Sequence, residues 1–137
     1  MTKDFGRLNR YEVAQTGEKI AIIGLGTFFE LAKEAAKLLK EEAGINATVI
    51  NPYYITGLDE ALLTKLKQNH DTVITLEDGI LDGGFGEKIA RFYGASKMKV
   101  MNYGLKKEFL DRYDVDAVLK ENHLTAEQIM EDVLSIS

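Results

Sequence analysis

Residues 74 to 86 read Ile-Thr-Leu-Glu-Asp-Gly-Ile-Leu-Asp-Gly-Gly-Phe-Gly and join the end of a predicted strand to a glycine-rich turn before a helix. The apolar run ends at Leu76, and two carboxylates, Glu77 and Asp78, follow it. Glycine is favoured where φ is positive or where a backbone, a ligand or a subunit comes close. Acidic side chains at the carboxyl end of a parallel strand usually point into a crevice or a contact surface. This segment is therefore the first candidate for a working surface.

On both sides of this segment, short apolar runs alternate with amphipathic stretches. Strands are predicted at residues 19–24, 47–50, 72–76 and 98–101. Helices are predicted from residue 28 to Gly44, at residues 57–67 and from residue 85 onward. Strands that alternate with helices predict a parallel α/β sheet. A short edge strand is predicted at residues 11–14. We expect Thr27 to cap the first helix, Gly44 to end it, and Thr125 with Gln128 to form a capping box on a C-terminal helix.

Composition narrows the classes of function. The 137 residues fit one domain, predicted over 1–137 with residues 1–8 as a loose N-terminal extension. A net charge of −5 argues against non-specific binding to nucleic acid or to an anionic membrane. The chain has no cysteine, which excludes disulfides and thiolate chemistry. No signal-peptide core and no apolar run of membrane-spanning length is present, so we expect a cytoplasmic domain without nucleic-acid or membrane partners.

Two motifs invite a ligand-binding interpretation. Gly24-Leu25-Gly26 lies at a strand-to-helix turn, but Phe29 stands where a dinucleotide fingerprint needs a small residue. A tight turn with a capped helix is favoured, although an anion could rest on that helix N-terminus. Glu77, Asp78 and Asp82 could be general acids or metal ligands, yet their spacing is not that of a calcium loop. A solvated or interface role is favoured for them.

The histidines have a simpler interpretation. His70 and His123 each follow a predicted helix, where a cationic imidazole favours the helix dipole. Neither has a serine, cysteine or histidine partner at catalytic spacing. The residues alone therefore describe an α/β domain without an evident active site of its own.

Three segments carry a resemblance to a known family. They are Thr48-Val49-Ile50-Asn51-Pro52-Tyr53-Tyr54-Ile55-Thr56-Gly57-Leu58-Asp59, Val73-Ile74-Thr75-Leu76-Glu77-Asp78-Gly79-Ile80-Leu81-Asp82-Gly83-Gly84-Phe85-Gly86 and Asn102-Tyr103-Gly104-Leu105. These segments resemble the C-terminal domain of 1-deoxy-D-xylulose-5-phosphate synthases, which belong to the transketolase-like group of thiamine-diphosphate-dependent enzymes. The resemblance extends from about Leu8 to Val133.

The resemblance implies a particular fold. It is a three-layer α/β/α domain with a five-stranded mixed sheet, in which four strands are parallel and one edge strand is antiparallel. The strand order reverses between the strand that ends near Gly24 and the strand that ends near Leu76. The Gly24 turn and the loop from Glu77 to Gly86 would then flank a switch-point crevice.

The resemblance also implies a division of labour within a larger enzyme. That enzyme joins pyruvate to glyceraldehyde 3-phosphate with loss of carbon dioxide, and its product serves isoprenoid, thiamine and pyridoxal biosynthesis. Thiamine diphosphate and Mg²⁺ bind to the preceding domains, so no catalytic, cofactor-binding or metal-binding residue is expected on this chain, and the isolated chain is expected to be inactive.

The implied partners are the preceding domains and a second subunit in a homodimer. We expect an exposed apolar patch near Phe85 and Tyr54. The predicted interface residues are Tyr54, Glu77, Asp78, Gly79, Gly83, Gly84, Phe85 and Gly86.

Several alternatives stay open at this stage. The chain could be the C-terminal domain of a transketolase or of a 2-oxoacid dehydrogenase beta subunit. It could also be a free-standing domain that binds a small molecule at Gly24–Thr27, or a short subunit that completes a split enzyme. The sequence departs from the family at three places. Tyr53 stands where many relatives have arginine, so any ion pair made there is lost. Lys106 and Arg112-Tyr113 stand where proline and histidine-glycine are common, so no substrate contact is carried over to that loop.

Overall fold

Strands and helices alternate along the chain in the computed structural model, which describes residues 11–52, 58–80, 85–94, 96–105 and 125–136. The strands are β1 (Glu12–Gln15), β2 (Lys19–Gly24), β3 (Thr48–Asn51), β4 (His70–Ile80) and β5 (Lys99–Leu105). A 3₁₀ turn at Gly26–Phe28 precedes the first helix. The helices are α1 (Phe29–Ala43), α2 (Glu60–Leu66), α3 (Phe85–Tyr93) and α4 (Ala126–Ile136). The predicted extension at residues 1–8, His123, and the departures at Tyr53, Lys106 and Arg112-Tyr113 lie outside the described residues.

The strands form one sheet in the order β1-β3-β2-β4-β5. β1 runs antiparallel to β3, whereas the pairs β2–β3, β2–β4 and β4–β5 are parallel. Ile22 of β2 lies opposite both Val49 and Ile74, which places β2 at the centre. The register of β1 shifts between Val13 and Gln15. The mixed sheet with one antiparallel edge strand is therefore confirmed.

Helices cover both faces of this sheet. Alternate residues of a strand point to opposite faces, and both sets are buried in the central strands. On one face, α1 and α4 pack on a cluster that contains Ile20, Ile22, Val49, Ile74 and Leu76. On the other face, α2 and α3 pack on a cluster that contains Ala21, Ile23, Ile50 and Val73. The predicted three-layer arrangement is confirmed, and it explains why the central strands read as continuous apolar runs.

The helix ends test the predicted caps. Gly44 ends α1 in the left-handed conformation, with φ of 69°, as predicted. At the start of α4, the Thr125 hydroxyl accepts from the Gln128 N–H at 3.3 Å and donates to Gln128 Oε1 at 2.9 Å, so the predicted cap is confirmed. The cap was predicted at Thr27, but the N-cap position of α1 is occupied by Phe28, whose side chain makes no capping hydrogen bond. The 3₁₀ turn at Gly26–Phe28 leads directly into α1.

β4 is longer than predicted at both ends. It begins at His70, which was expected at a helix end, and it continues through Glu77 to Ile80, where a loop was expected. After a register shift beyond Leu76, Ile80 pairs with Leu105 of β5. Pairing with an equally extended neighbour therefore overrides the poor strand preference of Asp78 and Gly79.

Candidate functional site

The carboxyl ends of β2 and β4 form the switch point of the sheet. β2 is hydrogen-bonded to β3 on one side and to β4 on the other. The connection from β2 therefore leads to the strand on one side, and the next connection, from β3, returns to the strand on the opposite side of β2. Gly24 lies opposite Leu76, and the Leu25 N–H donates to the Leu76 carbonyl oxygen at 2.8 Å. The Gly24 turn and the residues that follow Leu76 are thus brought together, as predicted. In open α/β sheets this is the place where ligands bind.

Glu77 is buried at this switch point, with 3% of its surface exposed. Its Oε1 accepts from the Phe85 N–H at 3.1 Å, and its Oε2 accepts from the Gly86 N–H at 2.6 Å. These amides open α3, and amides in the first turn of a helix have no partner within the helix. The carboxylate therefore caps α3 from the neighbouring strand. Of the two roles expected for Glu77, the solvated one is wrong, because the amides at the helix start hold the side chain inside the domain.

Gly86 lies against the sheet at a distance that leaves no room for a side chain. A Cβ atom there would lie 2.7 Å from both Thr75 Oγ1 and Asn102 Oδ1. These two atoms are themselves hydrogen-bonded, with the Thr75 hydroxyl donating to Asn102 Oδ1 at 2.7 Å. The last glycine of the motif therefore allows α3 to approach β4 and β5 closely.

Phe85 is also turned into the domain. It is 2% exposed, and its ring packs edge-on against Tyr11 with the ring centres 6.0 Å apart. Phe85 therefore does not contribute to the apolar surface patch expected near Phe85 and Tyr54, because it fills the core between the sheet and α3.

The structure does not test an interface role for the remaining predicted interface residues. Asp78 and Gly79 belong to β4, but their outward environment is not described. Tyr54, Gly83 and Gly84, together with Asp82, lie outside the described residues. An interface formed by this segment stays a prediction. Glu77, Phe85 and Gly86 could contribute to it from inside the chain, by fixing where α3 begins.

The Gly24-Leu25-Gly26 motif is a tight turn. A Cβ atom on Gly24 would lie 2.6 Å from the Phe28 carbonyl oxygen and 2.7 Å from the Phe29 Cα. Gly26 has φ of 61°, in the region that favours glycine. The turn predicted from the sequence is confirmed. In a dinucleotide fingerprint, the third glycine allows the helix to pack closely on the strand. Here Gly24 has that role.

Asp59 is a positioning residue that the sequence patterns did not single out. Its Oδ1 caps α2 by accepting from the Leu62 N–H at 3.2 Å, and its Oδ2 accepts from the Tyr11 N–H at 2.9 Å. Aspartate directly before an amphipathic run is a recognised start signal, so the cap could have been found. The Tyr11 contact could not, because 48 residues separate the partners. Burial raises the pKa of Tyr11 to about 12.

A second cleft lies at the opposite, amino end of the strands. Its volume is about 290 Å³, close to the lower limit for small-molecule pockets. His70 and Thr48 lie on its floor and Lys65 and Asn69 at its rim; the lining residues are Val13, Thr16, Gly17, Thr48, Leu62, Lys65, Leu66, Asn69 and His70. The polar side-chain atoms of His70 and Thr48 on the floor are hydrogen-bonded to other atoms of the chain.

His70 forms a closed hydrogen-bond chain. Its Nδ1 lies 3.1 Å from the Leu66 carbonyl oxygen, which can only accept, so Nδ1 carries a proton. Its Nε2 lies 2.7 Å from Thr48 Oγ1, and that hydroxyl also accepts from the Gly17 N–H at 2.9 Å. In the neutral imidazole, Nε2 accepts from the Thr48 hydroxyl. Burial lowers the pKa of His70, so the predicted cationic form is disfavoured, although the predicted contact with a helix C-terminus exists.

The lowered pKa of His70 makes stability depend on pH. The ordinary histidine pKa is 6.5, and the pKa of His70 in the folded chain is lower. At a pH between these two values, His70 is more protonated in the unfolded chain than in the folded chain. This contribution to stability is complete above the ordinary value, and it is lost as the pH falls towards the folded value. We expect His70→Asn, which keeps a donor for the Leu66 carbonyl, to lose less stability than the wild type on acidification. Urea denaturation at a series of pH values measures the difference, and parallel pH profiles would contradict it.

The described residues do not fit the thiamine diphosphate and Mg²⁺ that the resemblance associates with the larger enzyme. In the described ranges, no three His, Asp or Glu side chains converge as a metal site requires. The two amides at the switch point that could receive a phosphate are held by Glu77. Among the same residues, no helix is both long and apolar enough to cross a membrane.

The chain belongs to the transketolase C-terminal domain family, whose model matches residues 9–129. It is similar to the 1-deoxy-D-xylulose-5-phosphate synthase of Symbiobacterium thermophilum, with 37% identity over 124 residues that cover 89% of this chain and 19% of that enzyme. The synthase of Clostridium perfringens is 33% identical over 129 residues, which cover 93% of this chain and 21% of that enzyme. The chain therefore spans about one fifth of the length of these curated relatives.

A solved structure shares the fold. The chain superimposes with a TM-score of 0.81 and 28% identity on a protein described as a split gene transketolase in an inactive beta4 tetramer. The match covers 93% of this chain and 42% of that one. The strand order and the three layers described above are therefore those of a transketolase C-terminal domain.

Proposed function

We propose that this chain is the non-catalytic C-terminal domain of a 1-deoxy-D-xylulose-5-phosphate synthase. The parent enzyme would condense pyruvate with glyceraldehyde 3-phosphate and release carbon dioxide. The domain would brace the preceding domain and extend the contact between two subunits. Thiamine diphosphate and Mg²⁺ would be held by the other domains. A cytoplasmic location is part of the proposal.

One observation carries this proposal. Synthases of this name match the chain over about nine tenths of its length, whereas the chain matches only about one fifth of theirs. The chemistry of the described residues agrees with a supporting role, because the switch-point amides contact the chain's own carboxylate and the polar floor of the second cleft is internally hydrogen-bonded.

The proposal predicts how the chain behaves with the cofactor. Isothermal titration calorimetry of the chain with thiamine diphosphate and Mg²⁺ should show no binding, while a complete synthase such as that of Clostridium perfringens should bind under the same conditions. A Clostridium perfringens synthase truncated before its own C-terminal domain should lose activity, because its remaining domains lose their brace. A matched truncation that receives this domain as a covalent fusion should regain part of it.

Two results would overturn the proposal. Magnesium-dependent binding of thiamine diphosphate by this chain alone would show that it holds a cofactor site. Full activity of the truncated synthase without any C-terminal domain would remove the bracing role. Fusion of an unrelated domain of similar size serves as the control for bulk, and it should restore nothing.

A second candidate is a separate subunit that completes a split enzyme. The observation that favours it is the 0.81 TM-score to a split gene transketolase, of which this chain covers 42%. The genomic open reading frame distinguishes the two candidates. A frame that continues upstream through the cofactor-binding domains supports the covalent domain, and a frame that begins at Met1 supports the separate subunit.

A further inference from the structure

We propose that Glu77 is a built-in anionic ligand: its carboxylate fills an anion-binding position at the N-terminus of α3, and a free carboxylate anion can take that position once the side chain is removed. The proposal concerns this chain's own residues and holds for any enzyme to which the domain belongs.

The geometry is that of an anion on a helix start. The two oxygens of Glu77 each accept one backbone N–H, from Phe85 at 3.1 Å and from Gly86 at 2.6 Å. Phe85 and Gly86 are the first two residues of α3, which is nine residues long. Their N–H groups have no intrahelical partner, and the helix dipole adds positive potential at the same point. Bound phosphates and sulfates use amides of this kind.

The position within the fold also suits a ligand. Glu77 follows Leu76, which lies opposite Gly24 at the carboxyl end of β2, and this is the switch point of the sheet. The carboxylate comes from β4 and the amides from the helix after it, so the contact closes a loop within one strand–helix unit. The domain thus supplies its own anion where related architectures take one from a ligand.

The burial of Glu77 makes the loss of its carboxylate costly for the two amides. Glu77 is 3% exposed, so in the wild-type chain bulk water does not compete with the carboxylate for the two amides. A buried donor that loses its acceptor bears its full desolvation penalty. Gly86 is packed against the sheet, where an added Cβ atom would lie 2.7 Å from Thr75 Oγ1 and from Asn102 Oδ1. The amides therefore stay in place and available when the side chain is shortened.

The test is chemical rescue of Glu77→Ala in the full chain. The substitution removes a fragment with the heavy atoms of acetate. We expect the midpoint of thermal unfolding to fall by about 10 °C, since two buried amides lose their acceptor. Added acetate should recover at least half of this loss in a saturable manner. Sodium chloride at equal ionic strength, and acetamide as the neutral isostere, should recover none.

Two further variants separate the proposal from a generic loss of packing. Glu77→Gln fills the same space but turns an N–H donor towards one of the amides, so we expect it to be destabilised and insensitive to acetate. Glu127→Ala removes an exposed acid from the first turn of α4, and it should change little with or without acetate. A Glu77→Gln variant as stable as the wild type would overturn the proposal, even if Glu77→Ala did not fold. Equal recovery with acetate and acetamide would overturn it as well.

Discussion

Gly24→Ala should destabilise the domain by about 3 kcal/mol, although it adds a single methyl group. The added Cβ would lie 2.6 Å from the Phe28 carbonyl oxygen and 2.7 Å from the Phe29 Cα. Both neighbours are backbone atoms, so no side chain can rotate to relieve the contact. Either α1 moves away from β2 or the turn distorts, and both disturb the core cluster around Ala32 and Ile22. Urea denaturation monitored by circular dichroism measures the change.

Gly94→Ala is the matched control for this substitution. Gly94 follows α3, and among the described residues its added Cβ would meet only the Arg91 carbonyl oxygen, at 3.1 Å. We expect a change of less than about 1 kcal/mol. If Gly24→Ala were as mild as this control, the glycine would not be needed for helix packing. The ligand-binding interpretation of Gly24-Leu25-Gly26 would then regain weight.

Gly86→Ala should be comparably destabilising, against the intrinsic preference of a helix. Alanine in a helix interior is favoured over glycine by about 1 kcal/mol, so an unconstrained position would gain stability. Here the new Cβ would lie 2.7 Å from Thr75 Oγ1 and from Asn102 Oδ1, in a buried and hydrogen-bonded setting. Overpacking of this kind costs about 3 kcal/mol and outweighs the propensity.

A second background makes the Gly86 prediction specific. In Thr75→Ala/Asn102→Ala, the atoms that crowd the new Cβ are absent, and the hydrogen bond between them is lost. Gly86→Ala should cost at least about 2 kcal/mol less in this background than in the wild type, as a double-mutant cycle measures. An equal cost in both backgrounds would show that the strain arises elsewhere, for example in the capping contact with Glu77.

The architecture could be predicted because its signals are local or periodic. The apolar run of β2 required burial on both faces, and the left-handed end of α1 required Gly44. The Thr125 cap followed from residue types three positions apart. Strand order did not follow from such patterns, and it came from the resemblance to transketolase-like domains.

The functional segment was less predictable because its decisive contacts join residues that periodicity does not relate. Glu77 was expected at a solvated or partner-facing tip, since a carboxylate is almost never buried unless it is paired. Its partners are backbone amides eight and nine residues ahead, and no side-chain pattern reveals them. The extension of β4 to Ile80 likewise depends on pairing with Leu105.

His70 shows the same limit at the other end of the sheet. The residue was expected after a helix, and the helix contact through the Leu66 carbonyl is present. Its second contact is with Thr48, on a different strand 22 residues away. Burial in this setting lowers the pKa of the imidazole. The charge state of the imidazole therefore depended on tertiary structure that the local sequence could not supply.

The interrupted pairing of β1 has a consequence for handling the domain. An open sheet border with regular spacing can recruit an extended segment from another molecule, which is a common first step in aggregation. β1 is four residues long, carries Glu12, and is irregular between Val13 and Gln15. Such a border offers a poor template for a foreign strand, so concentrated preparations should be protected on this side from strand-to-strand polymerisation.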